Sequence, residues 1–121
     1  MTRFLVDLHV MWAWVVIIGN GMAGVWSLFA LRISALRTRV LWWFTATVQI
    51  AIVIQVILGV VLTSARGLQV QQFHMFYGFV AIIAGAIMYS YRHAMAHRIY
   101  LLYGLGGLFL MGLGIRAMLV V

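Results

Sequence analysis

Residues 40–63 read VLWWFTATVQIAIVIQVILGVVLT, a run without a charge or a proline, closed by the turn-forming SARG of residues 64–67. An α-helix rises about 1.5 Å per residue and the hydrocarbon core of a bilayer is about 30 Å thick, so this stretch is long enough to cross a membrane once. Working outward, the preceding apolar run covers residues 5–31 and stops at Arg32, Arg37 and Arg39. A third run covers residues 72–91 and stops in the segment Arg92 to Arg98, and a fourth covers residues 99–119. The first run is too long, and its arginines come too late, for a cleaved secretory signal. Short polar connections make neighbouring helices antiparallel. The expectation is therefore an all-α polytopic membrane protein in which residues 1–121 form one up-down-up-down four-helix transmembrane domain.

Composition agrees with this reading and excludes others. The chain has 121 residues, of which 67% are hydrophobic and 7% charged, whereas about a quarter of an ordinary soluble domain is charged. The length leaves no room beside four spans for a soluble domain. A net charge of +7 arises from eight arginines and four uncharged histidines against the single acid Asp7. These arginines fall in small groups between apolar runs instead of lining one polar face, which speaks for topology signals and lipid headgroup contacts and against nucleic acid. The absence of cysteine removes disulfides, thiolate metal sites and covalently attached haem.

The arginines also orient the bundle. The first and third loops carry Arg32, Arg37, Arg39, Arg92 and Arg98, against Arg3, Arg66 and Arg116 at the other end. Arginine-rich short loops stay in the cytoplasm, so both termini are expected on the extracytoplasmic side. Trp42, Trp43, Tyr89, Tyr91 and Tyr100 lie beside the same loops, where aromatic belts belong. Small residues mark faces where transmembrane helices approach closely, and the last helix, with Gly104, Gly106, Gly107, Gly112 and Gly114, is expected to use such a face.

One feature stands apart from the apolar pattern. Residues 9–18 (HVMWAWVVII) align with residues 74–83 (HMFYGFVAII): a histidine, two apolar residues, an aromatic, a small residue and another aromatic recur in register. This suggests a pseudo-twofold repeat of helical hairpins. Both histidines sit near the start of helices that run in the same direction, so His9 and His74 lie at similar depth. On the diagonal of a bundle whose neighbours are about 8–10 Å apart, the gap between their helices suits a planar tetrapyrrole with two axial histidines and is too wide for a small ion held by both rings. Ala13 and Gly78, each four residues after a histidine, leave space for a flat macrocycle. Haem propionates need cations, for which Arg66 and Arg116 are the chief candidates, with Arg3 a third.

Other polar residues have simpler readings. His93 and His97 look like a solvated interfacial turn, and Gln49 and Gln55 like interhelical hydrogen-bonding groups. Gln71 and Gln72 are candidates to orient His74 through its Nδ1. Asp7 is expected in an interfacial salt bridge.

The placement of His9 and His74 resembles one half of the haem A synthase family, in which a four-helix bundle carries a histidine near the outer ends of its first and third helices. The resemblance implies haem binding by these two residues. It also departs from the family: the position three before the first histidine, a glutamate in the family's active half, is Val6, and the cysteine pair of many members is absent. The leading expectation is thus a membrane protein holding iron as haem b through His9 and His74, for electron transfer or haem handling linked to a respiratory complex. A cofactor-free accessory subunit docking on a larger membrane complex or on its own copies, and a haem A synthase-like enzyme, are the alternatives.

Overall fold

A computed structural model describes residues 1–120. Four helices follow one another along the chain: α1 (Thr2–Ala30), α2 (Arg39–Ser64), α3 (Gln72–Ser90) and α4 (Ile99–Leu119), with short 3-10 turns at Ser34–Leu36 and Ala96–Arg98. All four are long and apolar enough to cross a membrane. They coincide with the runs read from the sequence, except that α1 starts three residues sooner. Its first turns take in Arg3 and Asp7, whose exposed side chains do not interrupt the helix.

Helical structure follows from the solvent the chain is built for. Within lipid each backbone N–H and C=O must be satisfied inside its own segment, and without proline no segment is forced to break. Hydroxyls obey the same constraint. Thr45 donates to the Leu41 carbonyl, Thr47 to that of Trp43 and Ser90 to that of Ala86, each at 2.8 Å and four residues back. The ends are closed by specific contacts. At the end of α1, Arg37 turns back and donates from Nε to the Ala30 carbonyl (2.7 Å) and from Nη2 to that of Leu31 (2.9 Å). A cation on these last carbonyls also complements the negative end of the helix dipole. After α2 the chain turns at Gly67, whose φ of 69° suits glycine, and the Leu68 amide returns to the Leu62 carbonyl at 3.0 Å.

The helices form a ring in which α1 packs on α2 and α4, α3 packs on α4, and α2 meets α3 only sparsely. This places α1 diagonal to α3. Burial is uneven: α1 buries Val16, Ile17, Asn20, Ala23 and Ser27 among others, whereas α3 buries only Ala81 and Met88. The core continues through Ala51 and Ile52 of α2 and Tyr103 and Leu110 of α4. Many large apolar side chains, among them Ile50, Ile57, Phe76, Ile83 and Phe109, point outward. In a bilayer that outer surface faces acyl chains.

Candidate functional site

Polar groups anchor α1 to α2 along its length. Trp12 donates from Nε1 to the Ala51 carbonyl at 2.8 Å, and Asn20 donates from Nδ2 to the Val48 carbonyl at 3.2 Å. Nearest the chain's N-terminus, Gln55 donates from Nε2 to the His9 carbonyl at 2.7 Å. One turn further along α2, Gly59 faces the His9 ring: a Cβ there would stand 3.3 Å from Cε1. Gln55 and Gly59 thus set where His9 sits, by a hydrogen bond to its backbone and by leaving its ring room. Their spacing of four residues on one helical face was visible in the sequence, but nothing linked that face to His9.

His9 and His74 meet across the diagonal. Their ring centroids are 6.0 Å apart and the planes are inclined by 71°. Nδ1 of His74 lies 2.8 Å from the Ala117 carbonyl in α4. Because a carbonyl only accepts, this bond places a proton on Nδ1, and in the neutral ring the lone pair is then on Nε2. The orienting partner is therefore the backbone of α4, not Gln71 or Gln72, which are exposed at the start of α3. His9 differs: its Nδ1 is buried with no hydrogen-bond partner, and its Cε1–Nε2 edge lies against Gly59. A buried ring nitrogen without a partner costs free energy unless something satisfies it.

The expected distance between the histidines needs revision. Two imidazoles reaching inward span most of the diagonal gap, so separation alone does not rule out one small ion between them. Donor count does the discriminating. Among the described residues no group of three or more His, Cys, Asp or Glu side chains is placed to hold a metal, and a bare structural ion such as zinc takes about four ligands. A haem brings four nitrogens of its own and asks the protein for two axial ligands. What the structure itself brings together is a pair of imidazole donors.

The surroundings divide into near and far. Ala13 and Gly78 are half-buried one turn inward from their histidines. A Cβ at Gly78 would make only an ordinary contact, 3.5 Å from Val56 Cγ2, so helix packing does not itself demand glycine there. Arg116, at the end of α4, donates from Nε to the hydroxyl of Tyr77 at 3.3 Å, which ties it to the helix carrying His74. Arg66 is exposed in the loop between α2 and α3, and Arg3 is exposed in the first turn of α1. By chain direction all three arginines lie at the same end of the bundle as the histidines. His93 and His97 are exposed at the opposite end, in a turn and a 3-10 segment.

No protein-family model, no curated protein and no solved structure matches this chain.

Proposed function

We propose that this protein is a multi-pass protein of the cell membrane, with both termini on the extracytoplasmic side, that binds a b-type haem through His9 and His74. The observation that carries the reading is the meeting of these two rings across the bundle diagonal, 6.0 Å between centroids, with the His74 Nδ1 proton committed to the Ala117 carbonyl. A backbone carbonyl on the remote ring nitrogen is how a ligating histidine is oriented and made more basic. The same contact leaves Nε2 as the donor. In this reading a macrocycle would enter by the sparse α2–α3 seam past Ala13 and Gly78, and Arg116 and Arg66 would meet its propionates. His9 and His74 would hold the haem, which when bound would supply one-electron chemistry, or would itself be the cargo, in connection with a respiratory complex. The resemblance that the placement of His9 and His74 bears to one half of the haem A synthase family implies haem binding, while Val6 in place of that family's glutamate weighs against oxidation of the haem itself.

The test is an absorption spectrum of protein purified from haem-sufficient cells. A Soret band with sharp low-spin bands on reduction is expected, lost in His9→Ala and in His74→Ala. Colourless wild-type protein that also fails to take up added haem, or colour that survives both substitutions, overturns the assignment.

A further inference from the structure

At the end of the bundle opposite the histidines, residues of α2, α3, α4 and the α3–α4 turn line a half-open cavity of about 380 Å³. Gln49, from α2, is ten residues before Gly59, which faces His9, so the cavity is about 15 Å of helix rise from that ring. Its walls are unlike the lipid-facing surface. Trp42, Tyr89 and Tyr103 contribute aromatic rings, and Gln49, Thr45, His93 and Arg92 contribute polar groups. Trp42 and Tyr103 stand edge to face, with centroids 5.4 Å apart. Its lining residues Ala46 of α2, Tyr89 of α3 and His93 of the following turn are exposed, so the cavity reaches the outside of the bundle. An amphiphile can enter there sideways from the bilayer.

The lining chemistry narrows the occupant. Arg92 is the one guanidinium on the wall and is already engaged: its Nη1 donates to the Tyr89 carbonyl at 2.7 Å, and its Cζ stacks 3.6 Å from the centroid of the Tyr89 ring. A single committed cation is a poor phosphate clamp, since strong phosphate sites converge several free donors. Gln49, the Tyr103 hydroxyl and His93 can each both donate and accept, which matches a ring oxygen that is a carbonyl in one state and a phenol in another. Trp42 and Tyr103, set edge to face, offer a flat ring an aromatic contact, while one face of Tyr89 is taken by Arg92. From these features we infer that the cavity binds the head group of a lipid-soluble quinone or quinol, with its tail leaving between α2 and α3. The inference stands on different residues from the haem reading and does not depend on it.

The experiment titrates the purified full-length protein with a short-chain alkyl benzoquinone and follows quenching of tryptophan fluorescence. Saturable quenching is expected in the wild type. Gln49→Leu should weaken it by about tenfold, the loss of one useful hydrogen bond, and Ala46→Trp, which fills the mouth, should abolish saturation. Both variants must keep the wild-type helical circular dichroism for these comparisons to count, with Ala46→Ser as the substitution that preserves binding. The His9→Ala/His74→Ala double variant should bind as the wild type does, so that failure of the haem reading and failure of this one are told apart. Quenching that never saturates, or that is identical in Gln49→Leu and Ala46→Trp, means partition into detergent and overturns the proposal. Displacement of the quinone by phosphatidylglycerol, but not by phosphatidylcholine, at equal concentration would make this an anionic headgroup site and overturns it too.

Discussion

The α1–α4 contact and the α2–α3 seam would be equivalent if the two hairpins were related by a true twofold axis, and they are not. In the first, backbones touch. A Cβ on Gly107 would lie 2.8 Å from Gly24 Cα, and one on Gly24 would lie 2.8 Å from the Gly104 carbonyl oxygen. In the second, a Cβ on Gly78 would find a single methyl at ordinary distance. The difference teaches that the bundle is held together on one side and left loose on the other. Lipid offers no hydrophobic drive between helices, so close van der Waals packing is what associates them. A seam without it contributes less to holding the bundle together.

Three glycine substitutions sharpen this contrast, each read as a shift in thermal unfolding of the detergent-solubilised protein. Gly107→Val should do most, since its branched side chain meets main chain that cannot rotate away. A loss of about 1–3 kcal/mol is expected, and an unchanged melting temperature would refute the backbone contact. Gly106→Ala is the intermediate case on the same helix. Its Cβ is directed at the sulfur and terminal methyl of Met88, a flexible chain that can yield, so about 1 kcal/mol or less is expected. Gly78→Ala should do least to stability, or raise it by roughly 0.5–1 kcal/mol through helix propensity. If haem binds as proposed, the same Gly78→Ala protein should hold less of it. Full haem content would show that the glycine is not kept for the macrocycle.

The glycines also show how far the sequence could be read. Gly104, Gly106, Gly107, Gly112 and Gly114 all announce a tight helix, yet they serve different neighbours. Gly104, Gly107 and Gly114 face α1, Gly106 faces α3, and Gly112 has nothing within 4 Å. Composition marks a small-residue face but not its partner. Gln49 and Gln55 make the same point: they look alike in one apolar helix, but Gln55 bonds to the His9 carbonyl while Gln49 lines the cavity at the far end. The pairing of His9 with His74 was legible because two same-direction helices carry them in one register. The partner of His74 was not, because a backbone carbonyl on α4 leaves no trace in residue identity.

By itself the sequence determined the number, extent and alternating direction of the helices, because spanning lipid imposes one length scale and one way of satisfying the backbone. It also set both histidines at the same end. Only the tertiary structure decided that α1 lies against α4 by backbone contact, that α2 and α3 part to form a seam, and that the two imidazoles reach each other across the diagonal. Those outcomes depend on the rotation of each helix about its axis. In an almost uniformly apolar chain the amphipathic signal that would fix that rotation is faint, and packing shape must settle it instead.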